Sequence, residues 1–151
     1  MDLHSILKKL QWKQIGEPVL ILNAPKSYEE ITITFGGRVD REIIEGNYKF
    51  IQVFGTSIYE ISTLSKLVIN TLEGDGLLWL CYPKKSSKLY KGSDCSRDEV
   101  AKILANEGFE PVRNIAIDDD WSALRFRKVE NIKKMIRKFA HTEVGKERTN
   151  D

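Results

Sequence analysis

The sequence predicts a single three-layer α/β domain, in which helices cover both faces of a mostly parallel sheet. Short apolar runs alternate along the chain with amphipathic helical segments, and several runs are apolar throughout, as in strands buried on both faces. A chain of 151 residues with 41% hydrophobic residues can form one ordinary core. Residues 1–140 are therefore predicted to form one domain, and the polar residues 141–151 a flexible tail.

The chain opens with a predicted helix, a strand and a second short helix. Apolar side chains recur at helical spacing within residues 3–10. The apolar run within residues 17–22 predicts the first strand. After it, Ser27 followed by Glu30 is a capping-box pattern, which predicts that a helix begins there.

The second strand has two candidate positions. Residues 31–35 alternate as a strand does, but two glycines follow at once, so residues 39–44 are the favoured choice. Residues 48–54 predict a further strand, which Gly55 ends.

A longer helix and the most apolar strand follow. Ser57 and Glu60 form another capping-box pattern in front of a helical apolar stripe, and Gly74 is predicted to close that helix. The following residues 76–82 predict a strand in the centre of the sheet.

The last third of the chain predicts a helix, a hairpin and a final helix. Ser96 is the predicted cap of a helix that ends at Gly108. Residues 111–117 and 121–129 are both strand-like and only three aspartates separate them, so they predict an antiparallel hairpin. Apolar positions within residues 132–139 predict the final helix, with basic residues on its opposite face.

Four segments of the sequence resemble an uncharacterised bacterial family of small proteins. They are residues 75–79 (DGLLW), 82–84 (YPK), 97–98 (RD) and 117–127 (IDDDWSALRFR). The order of the elements and the glycine turn that enters the central strand also resemble the later part of a Rossmann-like, class I methyltransferase. These resemblances imply a shortened Rossmann-like methyltransferase fold, and they imply no activity.

One departure from that fold concerns the cofactor. Rossmann-like enzymes that bind S-adenosylmethionine or a dinucleotide place a Gly-x-Gly turn after the first strand, so that the backbone can approach the ligand. Here the turn is Asn-Ala-Pro-Lys at residues 23–26, and Pro25 also removes a backbone donor. Asp40, Glu42 or Glu45 could supply the acid that binds ribose hydroxyls. The usual cofactor mode is not expected, and no cofactor is assigned.

The charge is nearly balanced but unevenly distributed. The formal net charge is +2, yet residues 84–91 contain four lysines and no acidic residue. Residues 128–148 contain seven basic and three acidic residues. A basic loop and a basic tail could attract polyanions, although solvated lysines are also common on protein surfaces.

The candidate binding site is the rim beyond the carboxyl ends of the strands, where ligands of open parallel sheets bind. The candidate ligand-binding residues are Asn23, Lys26, Thr56, Ser57, Tyr82, Lys84, Lys85, Ser86, Ser87, Asp118, Asp120 and Trp121. No catalytic residue can be assigned. A metal site is not expected, because the only two histidines, His4 and His141, lie far apart in the sequence.

Most of these candidates have a structural alternative. The residues 84–87 could bind a phosphate or carboxylate, or form a solvated loop. The three aspartates could perform acid–base or magnesium chemistry, or simply shape the turn, with Arg125 and Arg127 as salt-bridge partners. Trp121 could stack on an aromatic ligand or pack against a helix, and Cys95 could be a reactive or an inert thiol.

The sequence does not decide whether this chain is an enzyme. The favoured interpretation is a noncatalytic binding protein for a small anionic ligand or a protein partner. One alternative is an S-adenosylmethionine-dependent methyltransferase with an atypical cofactor loop, and another is a weak nucleic-acid binder. Nucleic acid and membrane are not expected as partners. Two cysteines and no readable export signal predict a cytoplasmic location.

Overall fold

A computed structural model describes residues 3–13 and 17–133 of the chain. The strands are β1 (Val19–Leu22), β2 (Val39–Asp40), β3 (Tyr48–Phe54), β4 (Leu72–Pro83), β5 (Phe109–Ala116) and β6 (Trp121–Lys128). The helices are α1 (Leu3–Lys9), α2 (Glu29–Ile33), α3 (Ile58–Val68) and α4 (Arg97–Ala101), with short 3₁₀ turns at Lys26–Tyr28, Ile69–Thr71 and Ala105–Glu107.

The six strands form one mixed sheet in the order β2-β1-β3-β4-β6-β5. The first four of these strands are parallel, with Leu20 opposite Ile51 and Ile51 opposite Leu78. Strand β6 is antiparallel to both of its neighbours. The predicted Rossmann-like α/β fold with an antiparallel C-terminal hairpin strand is therefore confirmed, as is the central position of β4.

Two apolar layers hold the helices on the sheet. On one face, Leu78 and Leu80 of β4 belong to the same cluster as Ile61 of α3 and Val100 of α4. The neighbouring Trp79 belongs to the opposite layer, with α1 and α2. All of these side chains are essentially inaccessible to solvent, because consecutive strand residues point to opposite faces and both faces are covered.

The two candidate positions of the second strand are resolved in favour of the later one. Strand β2 lies within residues 39–44, although it spans only Val39–Asp40, whereas residues 31–35 begin in helix α2. The capping box predicted at Ser27 is wrong, because the chain there starts as a 3₁₀ turn. The following α2 has Tyr28 in its cap position, with no side-chain hydrogen bond.

Two other predicted caps are confirmed. Ser57 accepts a hydrogen bond from the backbone N–H of Glu60, and Ser96 caps α4 in the same way. Gly108 closes its segment in the left-handed conformation, with φ of 82°. The role predicted for Gly74 is wrong: α3 ends at Val68, and Gly74, although left-handed, lies within β4.

The predicted hairpin is confirmed by β5 and β6, but the end of the chain is only partly described. Residues 129–133 are helical, and the remainder of the predicted final helix and the predicted tail lie outside the described residues. Among the residues that are described, no helix is long and apolar enough to cross a membrane.

Candidate functional site

The sheet order creates one topological switch point. From β1 the chain proceeds to β2 on one side, whereas β3 lies on the other side of β1. In open α/β sheets such a point leaves a crevice beyond the carboxyl ends of the strands, where ligands bind. The ends of β1 and β3 meet there, with Leu22 paired to Val53.

The turn after β1 is made without glycine. Asn23 adopts a left-handed conformation with φ of 61°, which asparagine tolerates better than most residues. Its side-chain Nδ2 donates to the carbonyl of Phe54 at 2.9 Å, so it connects the ends of β1 and β3 across the switch point.

The turn after β3 requires the glycine that is found there. A Cβ atom on Gly55 would lie 2.5 Å from Cγ1 and 3.0 Å from the backbone nitrogen of Ile61. Because both contacts are too short, only glycine lets α3 approach the end of β3 so closely. This approach brings the first two turns of α3 to the switch point.

Side chains of the protein itself cap the N-terminus of α3. Ser57 Oγ accepts from the Glu60 N–H at 3.1 Å, and Glu60 Oε1 accepts from the Thr56 N–H at 2.9 Å. The carboxylate of Asp94 accepts from the Ile58 N–H at 2.9 Å. An external anion would therefore have to displace Asp94 to bind the end of this helix.

A cleft of about 490 Å³ opens at the switch point, between the end of β1, the residue after β2, and α3. It is lined by Leu22, Asn23, Arg41, Ser57, Tyr59, Glu60, Thr63 and Leu64. The lining combines apolar side chains with hydroxyl groups, one amide, one carboxylate and one guanidinium. Its volume is in the range of small-molecule sites.

None of the three acids that could bind ribose hydroxyls near the end of β2 lines the cleft, although Glu42 is exposed. Asp40 is only 2% exposed: its Oδ2 accepts from the Tyr48 hydroxyl at 2.6 Å, and its Oδ1 from Arg38 Nε at 2.8 Å. Burial opposes ionisation of Asp40, but the hydrogen bonds from Tyr48 and Arg38 outweigh it and lower the pKa of the carboxyl. Glu45 pairs with the same Arg38.

Arg41, the residue that follows β2, faces the cleft instead. Its Nη2 contacts both carboxylate oxygens of Glu29, at 2.8 and 3.0 Å. Both side chains are about half exposed, so this ion pair contributes little to stability. The residue after β2 that lines the cleft is thus a cation, whereas dinucleotide-binding Rossmann folds place an acid after the second strand.

The other half of the rim, around the ends of β4 and β6, has many of its polar groups engaged by the chain itself, and we call it the closed half. The Lys84 N–H donates to the carbonyl of Asp120 at 2.8 Å. The buried Ser87 hydroxyl donates to Asp120 Oδ1 at 2.8 Å and accepts from the Tyr90 N–H. Further along the loop, Ser93 Oγ donates to the Thr56 carbonyl at 2.7 Å. We use the name basic loop for residues 84–96, which include the four lysines within residues 84–91.

The aspartate turn has a structural role. Asp118 Oδ1 accepts from the backbone N–H groups of Asp120 and Trp121, both at 2.8 Å, as turn aspartates commonly do. In the described part of the chain, no group of three or more His, Cys, Asp or Glu side chains could hold a metal ion. Arg127 pairs with Asp75, and Arg125 donates to Gln11, so neither arginine neutralises this turn.

Trp121 and Cys95 are both interior side chains. Trp121 is 3% exposed, and its ring meets those of Phe54 and Tyr90 edge-on at 5.3 and 5.1 Å. It packs as a core residue, and no ligand can stack on it without displacing these rings. Burial raises the pKa of the Cys95 thiol, which opposes the reactive thiolate form.

The structure divides the predicted rim residues into two groups. Asn23 and Ser57 line the cleft, Thr56 borders it through its backbone bonds, and Lys26 lies outside its lining. The second group surrounds the ends of β4 and β6: Tyr82, Lys84, Lys85, Ser86, Ser87, Asp118, Asp120 and Trp121. Within it, Tyr82 is buried and its hydroxyl donates to Asn114, so it too is part of the closed half.

Six lining residues escaped the sequence prediction. They are Leu22, Arg41, Tyr59, Glu60, Thr63 and Leu64. Arg41 could have been found as the first residue after the favoured second strand. Tyr59 and Thr63 lie four positions apart, on a helix face beside the apolar stripe, and this spacing alone does not reveal a ligand site.

Two other cavities lie apart from this cleft. One of about 480 Å³ lies between Lys84, Ser86 and Lys88 on one side and Asp119 and Asp120 on the other. A smaller apolar cavity of about 260 Å³, lined in part by Trp12 and Leu77, lies at the opposite edge of the sheet. Ligand sites of parallel sheets lie at the carboxyl edge, so we give the smaller cavity no functional weight.

The solved structures with this fold include several methyltransferases. An S-adenosylmethionine-dependent methyltransferase from Aquifex aeolicus is 15% identical, with a TM-score of 0.51 over 85% of this chain and 90% of the other. The tRNA methyltransferase TrmK from B. subtilis (10%, TM-score 0.50) and the mitomycin 7-O-methyltransferase MmcR (10%, TM-score 0.50) each match 83% of this chain. The chain spans only 64% and 54% of these two proteins, less than two thirds.

At such low identities these similarities define the fold: a shortened, Rossmann-like class I methyltransferase fold. No protein-family model matches the chain, and no curated protein matches its sequence. The favoured prediction of a noncatalytic binding protein is wrong, because the solved structures named here that share the fold are methyltransferases. The comparison favours the predicted alternative.

Proposed function

We propose that the protein is an S-adenosylmethionine-dependent methyltransferase with an atypical cofactor loop. The observation that carries this proposal is the cleft of about 490 Å³ at the topological switch point, the position at which open α/β sheets bind nucleoside ligands. The methyltransferase fold adds the reaction class, as an argument by analogy.

The residues of the cleft fit such a cofactor in size and chemistry. The volume suits a small molecule, Leu22 and Leu64 offer apolar contact, and Tyr59 offers an aromatic ring. Ser57, Thr63 and Glu60 offer polar groups that can bind ribose hydroxyls. S-adenosylmethionine supplies an activated methyl group when it is bound.

The missing glycine turn does not block this cleft. The lining includes Leu22 and Asn23 but not the following residues 24–26, which lie outside it. A ligand can therefore occupy the α3 side of the switch point without close contact with the backbone of Ala24 and Pro25. In this binding mode the cofactor would be held chiefly by α3 and by the residue after β2, instead of by the turn after β1.

We further propose that the methyl acceptor is anionic and approaches over the basic loop. Within the described residues, none of the lysines at positions 84, 85, 88 and 91 forms an ion pair. The loop is fixed by the bonds of Ser87 and Ser93, so its charges are positioned in advance at the same edge as the cleft. The neighbours act on acceptors as different as tRNA and mitomycin, so the fold does not identify the acceptor.

Inorganic phosphate can serve as the probe of this acceptor surface. We expect phosphate to shift the backbone amide signals of residues 84–88 in an NMR titration, and the double variant Lys84→Ala/Lys85→Ala to lose those shifts. Unchanged signals in the wild type would reject an anionic acceptor at this loop. The sequence predicts that nucleic acid is not a partner, and this stays a prediction.

A cytoplasmic location is also part of the proposal. Both cysteines are free and buried, as expected in a reducing compartment.

Calorimetric titration with S-adenosylmethionine and S-adenosylhomocysteine tests the proposed function. We expect binding with a submillimolar dissociation constant (below about 1 mM, or −4 kcal/mol). Thr63→Trp should abolish binding because the indole would fill the cleft, whereas Lys66→Trp adds the same side chain to α3 outside the cleft lining and should have no effect. No heat with either compound, from a folded wild-type protein, would reject the proposal.

A further inference from the structure

We propose that Arg41 binds the carboxylate of the cofactor, so that the amino-acid end of S-adenosylmethionine lies toward β2 and its ribose toward α3. This orientation is the reverse of that expected where a glycine turn faces the negative group and an acid after the second strand binds ribose. The inference rests on the proposed function and deepens it.

The two features that would produce the usual orientation are both absent from this site. Asp40 is buried, and its two carboxylate oxygens are engaged by Tyr48 and Arg38. It therefore cannot accept hydrogen bonds from ribose hydroxyls at the end of β2. The turn after β1 offers little to an anion, because Pro25 has no N–H to donate.

Arg41 has free hydrogen-bonding capacity at the end of β2. Its contact with Glu29 uses Nη2 alone, and neither Nε nor Nη1 has a hydrogen-bond partner among the described residues. Each of these two groups can donate a charge-assisted hydrogen bond to a carboxylate. A bidentate contact would need Nη2 together with one of them, and therefore the release of Glu29. Arg41 is also the only cation in the cleft lining, so a carboxylate bound elsewhere in the cleft would gain less electrostatic attraction.

Glu60, on α3, is the carboxylate in the cleft lining. Its Oε1 accepts from the Thr56 N–H, and Oε2 has no hydrogen-bond partner among the described residues. A carboxylate oxygen accepts hydrogen bonds from vicinal ribose hydroxyls but repels another carboxylate. Among the side chains that line the cleft, the cation thus follows β2 and the carboxylate belongs to α3, while Glu29, the partner of Arg41, lies outside the lining. This arrangement fits a ligand with a carboxylate at one end and a ribose further along.

Two ligands that differ only at the amino-acid end can test this orientation. S-adenosylhomocysteine carries the carboxylate, whereas 5′-methylthioadenosine has the same nucleoside without it. We expect Arg41→Gln to weaken S-adenosylhomocysteine about tenfold, the range of an exposed charge-assisted hydrogen bond, and to leave 5′-methylthioadenosine unchanged. Glu60→Gln, which keeps an acceptor for the Thr56 N–H, should weaken both ligands by a similar factor.

Two further variants complete the experiment. Glu29→Gln removes the carboxylate that competes for Arg41, so it should tighten S-adenosylhomocysteine severalfold without affecting 5′-methylthioadenosine. Lys66→Gln removes one positive charge from α3 outside the cleft lining and should change neither. If both ligands bind but Arg41→Gln affects them equally, or affects neither, the orientation is overturned and the proposed function stands. If neither ligand binds the wild-type protein, the proposed function fails as well.

Discussion

The two halves of the carboxyl edge differ in how their polar groups are used. Around β4 and β6, Ser87, Asp118 and Asp120 bond to the chain itself, and Trp121 fills the space beneath them. Around β1 and β3, a cleft remains, and Arg41 retains free donors that face it. Both halves lie at the end of the same sheet, so topology alone does not make a binding site.

The difference teaches that a polar cluster at a strand end has to be assessed by its unsatisfied groups. The closed half contains more polar residues in sequence, but Ser87, Asp118 and Asp120 are engaged by the chain itself, so that chiefly the lysines of the basic loop remain for a ligand. The open half contains fewer, and they belong to three separate segments: the turn after β1, the residue after β2, and α3. These groups line one cleft, and for this reason we assign the cofactor to the open half.

The largest expected effect comes from the aromatic side chain of the closed half. Trp121→Ala should lower the free energy of unfolding by about 3–5 kcal/mol, because it leaves a cavity under Phe54 and Tyr90. Tyr59→Ala in the open half, where the ring is 81% exposed, should cost less than about 0.5 kcal/mol. Urea denaturation of both variants measures the contrast, and similar small losses would mean that Trp121 is not a core residue.

The boundary between the halves depends on Gly55. Gly55→Ala should cost about 1–3 kcal/mol, because the added methyl group collides with Ile61 and forces α3 away from β3. Gly92 in the basic loop has no atom within 4 Å of an added Cβ, so Gly92→Ala is the matched control and should be nearly neutral. Equal thermal midpoints for the two variants would contradict the close approach of α3.

The buried carboxylate under the open half should make stability depend on pH. The folded-state pKa of Asp40 lies below its ordinary value, so its contribution is complete above about pH 4 and is lost as the pH falls through the folded-state pKa. Asp40→Asn should cost about 1–2 kcal/mol at neutral pH and reduce the acid-induced loss. Denaturation series at pH 7 and below pH 4 measure this, and identical acid limbs in the two proteins would disprove it.

The smallest effect is expected within the basic loop. Ser87→Ala removes the hydroxyl that bonds to Asp120 and Tyr90 and should cost about 1 kcal/mol. The neighbouring Ser86 is exposed and makes no hydrogen bond to the described residues. Ser86→Ala should therefore leave the free energy of unfolding unchanged. Hydrogen exchange at the Tyr90 amide offers a local check: faster exchange in the first variant only is expected, and unchanged exchange in both would mean that Ser87 does not fix the loop.

Much of the fold could be predicted from local sequence signals. The bounds of β3, the caps at Ser57 and Ser96 and the hairpin follow from short-range patterns, and the structure confirms them. The prediction that Gly74 ends a helix is wrong because a left-handed glycine can occur at an irregularity within a strand as well as at the end of a helix. The capping box at Ser27 failed because the chain enters α2 through a 3₁₀ turn.

The candidate site was harder to predict because it depends on long-range contacts. The strand ends in the sequence point to Asn23 and Ser57, and both residues line the cleft. The sequence could not show that Asp40 is engaged by Tyr48, eight residues away, or that Arg41 is thereby left to face the cleft. Which side chains remain free after folding is a property of the packed structure.

Backbone amide shifts of the isotope-labelled protein during titration with S-adenosylhomocysteine test the central claim most directly. We predict that the shifted signals cluster at Asn23, at Arg41 and within residues 57–64, while residues 84–91 and 118–121 remain unchanged. Shifts centred on the basic loop and the aspartate turn, or no shifts at millimolar ligand, would contradict the assignment of the cofactor to the open half of the rim.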